Sequence, residues 1–554
     1  MKETKKEKSK IKPSTKFTIL AVILIAIFCV ALTPVTLQND TYYTIKIGEH
    51  IIKNGIDMQD PFSWHEDLEY TYPHWGYDVI TYLIYNVFGF TGIYIVTCIL
   101  SIILGLSIYF VNKKLVKNQV FSFFITIGAM YVIKDYIAAR AQLVTFILFV
   151  LTIYFIEMFL ETKKKRYVLG LIIIPIMIAN LHLAVFPFYF VLYLPYIAEY
   201  VIALMGETII YKKSEMLKLK LKIKKYMKQP GNEQKLEELK KKQKELEYRI
   251  DKIKIKRTKE LQNPYRIKLI KRPNVKWLII IMLICVFTGL LTPLGQTPYT
   301  YLVKTMQGNT MQNINEHLPM TLANDENATC MFIIFLAILI FTKVKIRVSD
   351  LFMLGGLCCL MLGSRRQITM FTLIGSIILN RLIVQIIEIY IKIKEKDIIE
   401  KITNVIGIVI ITITILGLSY YFAKDKFDDK YVDESTYPVD ATNYILENIN
   451  LEEARFYNEY NYGSYLLFKG IPVFIDSRAD LYAPEFSGKE EDIFSDFIDT
   501  SSIGKFYGDT FEKYNMTHVI AYKNSKVNMI ITKADSEKYE QLYEDDYFVI
   551  YKIK

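Results

Sequence analysis

Three arginines border long apolar runs, where a membrane chain rarely places them. Arg140 stands in "KDYIAARAQLV", and Arg365 and Arg366 are adjacent in "LCCLMLGSRRQITMFTLIGSIIL". Arginine's planar fork suits phosphate, which it binds through paired hydrogen bonds. A charge carried to the centre of a membrane helix costs roughly 2.5–3.5 kcal/mol, and less near the interface. One reading has these arginines snorkelling to lipid phosphates or pairing with Asp135. The other has them gathered around a cavity that holds a phosphate ligand. Neighbouring helical residues point about 100° apart, so one of Arg365 and Arg366 is expected to face such a cavity. The histidines (His50, His65, His74, His182, His317, His518) show no helical metal pair and no HExxH, so no metal site is expected from them. The cysteines form no CxxC and all fall in apolar runs, so neither a redox motif nor a disulfide is expected.

The elements that must position these residues are set by composition. The chain of 554 residues is 52% hydrophobic and 14% aromatic, too apolar for an ordinary soluble protein of this size. About eleven runs approach bilayer-spanning length: 17–37, 90–111, 119–135, 142–160, 167–181, 183–205, 277–294, 329–342, 350–363, 368–391 and 403–422. The first follows "MKETKKEKSKIKPSTK" but is longer than a signal-peptide core and lacks a small-residue cleavage site, so it reads as an uncleaved helix. With the N-terminus inside, the even-numbered crossings return to "NKKLVKN", "KKKR", the basic segment 206–276, "KVKIR" and "KIKEK", while the opposite loops hold few basic residues. The expected protein is a multi-pass plasma-membrane protein with its C-terminal domain extracytoplasmic. The net charge of +11 then answers anionic lipid rather than nucleic acid. The expected fold is mainly α: a polytopic helical membrane protein with a small extracytoplasmic α/β C-terminal domain. Its parts are a basic cytoplasmic start (1–16), membrane helices 1–6 with a long first outer loop at 38–89 (17–205), a basic cytoplasmic insert (206–276), helices 7–11 (277–423) and the outer domain (424–554).

In the first outer loop, "DTYYTIKIGEHIIKNG" is expected to be helical up to Gly55, with Asp40 placed to cap its first turn. "DPFSW" reads as a turn. "GYDVITYLIYNVF" puts Asp78, Thr81, Tyr82 and Tyr85 on one helical stripe before a break at Gly89, as for a helix lying in the interface. The insert is expected to form two charged helices broken at Pro230–Gly231, lying on the inner leaflet or docking a cytoplasmic partner. In the outer domain acidic residues outnumber basic ones, and "ATNYILENI", "ARFYNEY", "SYLLF", "IPVFID", "THVIAY" and "YFVIYKI" alternate helical and strand-like patterns. Asp476, Arg478 and Asp480 are expected in a turn after a strand, either presented to a ligand or joined in an Asp–Arg network that holds the loop. Tyr460, Tyr462 and Tyr465 nearby suit the faces of sugars.

Six segments in order resemble a broad family of bacterial membrane proteins in the GT-C glycosyltransferase superfamily. "DTYYTIKIGEHIIKNG…DPFSW" resembles its Asp-Thr-Trp-Trp-His opening followed by Asp-Pro-Phe-Ser, "RAQ" (140–142) its Arg-Pro-Gln, and "NLH" (180–182) its Asn-x-His. "TPLGQTPY" with "INEHLP" resembles its Asn-Pro-x-Gly and Glu-Trp segments, Glu316 matching. "SRRQITMF" is similar to its Ser-x-Arg-Asn, and "FYNEYNYGSYLLFKGIPVFIDSRADLY" (456–482) to its outer-domain signature. The sequence departs from the pattern where Thr44 replaces a histidine, Tyr42 and Tyr43 replace tryptophans, and Ala141 replaces a proline.

The resemblance implies an integral-membrane glycosyltransferase, a hexosyl or pentosyl transferase that moves a sugar from a polyprenyl-phosphate donor to an extracytoplasmic cell-envelope glycan or protein. It makes Asp40 the base. It also makes Arg140, Gln142, Asn180, His182, Glu316, Arg365 and Arg366 donor-binding residues. Asn458, Tyr460, Tyr465, Asp476, Arg478 and Asp480 become the outer-domain ligand or acceptor surface. Arg140/Gln142 and Asn180/His182 are spaced i, i+2 and converge only where a helix ends. The sequence names no cofactor and leaves a divalent cation open. The alternative is a catalytically silent relative that binds lipid-linked glycan or envelope polymer. A transporter fits less well, because the charge collects at one face rather than at the midplane.

Overall fold

The computed structural model describes residues 12–205, 208–227, 233–261 and 266–554. Most of the basic N-terminal segment and the expected break at Pro230–Gly231 lie outside the described residues. Each of the eleven apolar runs falls on helix. The first half runs α1 (Pro13–Leu32), α2 (Asn39–Asn54), α3 (Trp75–Val116), α4 (Gln119–Val132), α5 (Ala141–Thr162), α6 (Lys165–Leu181), α7 (Phe186–Val191) and α8 (Leu194–Met205). The insert holds α9 (Thr208–Tyr226) and α10 (Glu233–Leu261), which pack against each other. The second half runs α11 (Val275–Val286), α12 (Thr297–Gln307), α13 (Thr310–Asn313), α14 (Glu326–Phe341), α15 (Val348–Gly363), α16 (Ile368–Ile386), α17 (Glu395–Ile402) and α18 (Val405–Ala423). Six described segments are long and apolar enough to cross a membrane, and four apolar helices are shorter. Side chains such as Phe341, 82% exposed, face outward from the bundle, as hydrocarbon surroundings permit and water does not. The protein is a multi-pass membrane protein.

The helices alternate in direction, giving the bundle two ends. At one end α5, α15 and α16 meet in a buried ionic cluster. Glu157 takes Arg272, Arg347 and Arg381 at 3.1, 2.7 and 3.2 Å, and Asp350 takes Arg347 and Arg381 at 2.6 and 2.8 Å. Charges this buried need such pairing. The insert returns there through β1 (Ile267–Lys268), which pairs in parallel with β2 (Ile346–Arg347) just before α15.

The candidate residues collect at the opposite end, where α2 lies across the start of α3. The approach is close enough that a Cβ on Gly48 would stand 2.1 Å from the Asp78 carbonyl oxygen. Gly89 takes φ +60°, ψ −155°, a conformation open to glycine, and kinks α3 into two parts. The turn at Asp60 forms as expected: Phe62 and Ser63 donate their N–H groups to its carboxylate at 3.3 and 2.9 Å.

The C-terminal domain contains α19 (Val439–Asn448), β3 (Phe456–Tyr457), α20 (Tyr460–Phe468), β4 (His518–Tyr522), β5 (Tyr539–Glu544) and β6 (Phe548–Ile553). Its sheet has the order β3-β4-β6-β5, with β3 parallel to β4 and the other pairs antiparallel. The segment "IPVFID" is not one of its strands. Its backbone bonds are taken instead by the Asn458 side chain, which accepts from Phe474 N–H at 2.8 Å and donates to Ile475 O at 2.7 Å, and by the first loop at Phe62 and Trp64. One apolar core joins the first loop, α2 and this domain. Tyr42 is fully buried in it, with ring centroids 4.9 Å from Tyr437 and 5.2 Å from Tyr465.

Candidate active site

A cavity of about 1250 Å³ lies between the bundle end and the C-terminal domain. Asp40 stands in the first turn of α2, but Gln38 is the N-cap and no side chain caps this helix. The expected capping role is therefore replaced by an ion pair: Asp40 Oδ2 lies 2.5 Å from Arg140 Nη2. Arg140 is the extended residue before α5 (φ −133°, ψ 151°), so it and Gln142 both reach the cavity despite their i, i+2 spacing. Asp135 pairs with Lys134 instead of Arg140. The second Arg140 nitrogen meets Glu316 at 3.0 Å, so one guanidinium bridges two carboxylates. Burial works to raise the Glu316 carboxyl, but the Arg140 and Arg366 charges outweigh it and hold the group below its ordinary value.

The adjacent arginines part company in a short 3₁₀ turn. Arg365 is drawn away to Asp325 at 3.2 Å and Asn315 at 2.8 Å, and does not line the cavity. Arg366 does, and its one side-chain partner among the described residues is His317, 3.4 Å away. Burial and then the Arg366 charge push the His317 imidazole down to about 4, so the ring beside Arg366 is neutral. The Asn180/His182 pair also divides. α6 ends at Leu181, His182 turns into the cavity with Nδ1 2.8 Å from Thr145 Oγ1, and Asn180 donates to Ile176 O and Leu291 O outside it.

On the domain side, Tyr460 lines the cavity and donates to Ser477 O at 3.1 Å. Asp480 lines it too, accepting from Tyr301 at 2.6 Å and Thr310 at 3.2 Å. Arg478 reaches the wall but is committed to Asp476 at 2.7 Å and Asp60 at 2.6 Å. Asn458, Tyr465 and Asp476 are buried away from the cavity and hold the domain together, so the expected ligand surface is smaller than the signature suggested. Among the described residues no group of three His, Cys, Asp or Glu is placed to hold a metal. Asp40 and Glu316 are bridged by Arg140.

No family model matches the sequence, and no curated protein matches it. Solved structures do match. The archaeal oligosaccharyltransferase AglB from Archaeoglobus fulgidus, in complex with an inhibitory peptide and a dolichol-phosphate, aligns at TM-score 0.54 and 12% identity over 92% of this chain and 70% of that one. The Archaeoglobus fulgidus oligosaccharyltransferase tethered to an acceptor peptide aligns at 0.52 and 12%, over 97% and 74%. Its apo form aligns at 0.53 and 12%, over 93% and 70%. The chain shares the fold of these oligosaccharyltransferase structures.

Within this fold, a second constellation beside Asp40 went unread in the sequence. His74 Nδ1 lies 2.6 Å from Asp78 Oδ1, and with the proton on Nδ1 the ring's Nε2 accepts from Tyr43 O–H at 3.2 Å. The i, i+4 spacing of His74 and Asp78 at a helix start was the available signal. Glu459 was also missed. Burial pushes its carboxyl from 4.5 up to about 7, against a hydrogen bond with Ser525. The folded chain then holds a proton that the unfolded chain has lost between about pH 4.5 and 7. The stability this proton gives is complete below 4.5 and is lost as pH rises through 7. Thermal unfolding of Glu459→Gln should therefore gain on wild type across that window, by about 3 kcal/mol at its upper end. Parallel pH profiles for the two proteins would contradict the raised value.

Proposed function

We propose that the protein is an integral-membrane glycosyltransferase that moves a sugar from a polyprenyl-phosphate donor to an extracytoplasmic cell-envelope glycan or protein. The observation that carries the reading is the amphipathic cavity. Arg140, Arg366 and Asp40 line it, while Val185 just before α7, Phe188 of α7 and Leu360 of α15 form an apolar wall continuous with membrane helices. A phosphate tethered to a polyprenyl chain needs both surfaces. Fold neighbours that carry dolichol-phosphate and an acceptor peptide support the same reading. The lysine and arginine alternation supports an extracytoplasmic setting for this end of the bundle.

In this reading Arg366 and Arg140 face the donor phosphate. As the bond between the anomeric carbon and the phosphate oxygen breaks, the leaving phosphate gains charge that they stabilise. The acceptor hydroxyl attacks the anomeric carbon and gives its proton to Asp40. Oδ2 of Asp40 is engaged with Arg140, and Oδ1 has no partner among the described residues. Tyr460, Asp480 and Glu459 line the side that belongs to the C-terminal domain, where the acceptor would enter. One observation favours the second reading, a silent lipid-glycan receptor: the Asp40–Arg140 pair is already closed at 2.5 Å.

Purified protein assayed for binding and turnover across a panel of polyprenyl-phosphate sugars, with and without chelator, separates the two. Turnover of any donor supports the transferase, and binding without turnover supports the receptor. The arginines sharpen the test. Arg366→Ala should weaken donor binding about 10–100-fold, the worth of a charge-assisted contact. Arg365→Ala should leave donor affinity unchanged, because its guanidinium is spent on Asp325 and Asn315. Equal losses in both variants, or none in either, would remove the phosphate assignment.

A further inference from the structure

A second large cavity, about 1000 Å³, opens at the other end of the bundle, where the start of α1, the end of α3, the start of α4 and α17 meet. It is remote from Asp40, which follows the opposite end of α1. Its rim carries Lys12, Lys113, Lys114, Lys117 and Lys396 against two carboxylates, and both carboxylates are engaged. Glu395 accepts from the Gln119 backbone N–H at 2.6 Å, and Glu400 lies 3.7 Å from Lys396. Lys113 donates to the Thr18 hydroxyl at 2.8 Å, and the nearby Glu395 carboxylate acts on its charge. Lys12, Lys114 and Lys117 have no carboxylate partner among the described residues.

The floor is polar and ordered. Ser14 and Thr18 of α1 hydrogen-bond to the side chain of Gln119, which is buried at the start of α4. Beside it Phe110 of α3 is 45% exposed on the apolar flank of the bundle. Three lysines without a carboxylate partner above a polar floor, with an apolar flank at Phe110, match an amphiphile with an anionic head. The geometry points to a binding site for the phosphate headgroup of an anionic membrane lipid, with its acyl chain lying along Phe110. Basic pockets between membrane helices hold such headgroups. The inference stands independently of the transferase reading, since it uses none of that site's residues.

The test titrates the full-length protein in neutral detergent with phosphatidylglycerol, phosphatidylcholine or glycerol phosphate, and reads bound ligand by native mass spectrometry. Phosphatidylglycerol should bind selectively, and the variant Lys113→Gln/Lys114→Gln/Lys117→Gln should lose about fivefold in affinity for each lysine removed. Lys240→Gln/Lys241→Gln/Lys242→Gln, which removes equal charge from α10, should bind as wild type does. Equal retention of phosphatidylglycerol by the two triple variants overturns the site. Displacement of phosphatidylglycerol by equimolar glycerol phosphate overturns the lipid assignment, because the cavity would then be reading a soluble phosphate. Lys114 and Lys117 are exposed, so Lys114→Gln/Lys117→Gln gives the same reading with a smaller loss if the triple variant does not insert.

Discussion

Asp40→Asn should bind the polyprenyl-phosphate sugar about as tightly as wild type and turn it over ~10²–10⁴-fold more slowly, the range for removing a positioned general base. Asparagine is nearly isosteric with aspartate, and its Oδ1 can still accept from Arg140 Nη2. The bridge from α2 through Arg140 to Glu316 should therefore persist. What the amide cannot do is take the acceptor's proton. Binding measured beside single-turnover rates separates the two effects, because loss of the base lowers the chemical step and spares donor affinity. Turnover within a factor of about three of wild type would leave Asp40 as a residue that only orients Arg140, a role the amide fills nearly as well.

The membrane half of the fold was readable because the bilayer admits few solutions: apolar runs of sufficient length become helices. Partners distant in sequence were not readable. Capping is a local rule and favoured Asp40 as a cap, whereas the side chain is claimed by Arg140, one hundred residues on in a different turn. The geometric rule that one of two adjacent arginines faces the cavity holds in the structure, but the choice of Arg366 is made by Asp325 and Asn315, which pull Arg365 away. "IPVFID" carries every local mark of a strand. It sits outside the sheet because a buried asparagine and a loop four hundred residues upstream satisfy its backbone. Tyr42 and Tyr43 seemed to be losses from a motif. In the structure Tyr42 is the centre of an aromatic cluster that joins loop to domain, and Tyr43 contacts His74.

That joint is also where the largest stability effect is expected. Arg478→Ala should destabilise the protein by about 3–5 kcal/mol, the cost of leaving buried charges unpaired. Its guanidinium meets Asp476 at 2.9 and 2.7 Å and Asp60 at 2.6 Å, and the Arg478 side chain is 3% exposed. Both carboxylates are fully buried, so alanine would leave two negative charges facing each other without water. Burial alone would raise the Asp60 carboxyl, but the Arg478 charge holds it below its ordinary 3.8. In wild type, that depressed value contributes stability above about 3.8 that is lost as pH falls. Without the arginine the same carboxyl is raised, so the sign reverses and the variant loses stability as pH rises. The gap between the two melting curves should accordingly be small near pH 4 and widen toward neutrality. Arg478→Lys should recover only part of it, since one ammonium cannot reproduce a fork that reaches two carboxylates. A gap that stays constant with pH would mean that Arg478 contributes packing rather than charge, and equal melting temperatures at neutral pH would show that the first loop and the C-terminal domain are joined without help from this ion pair.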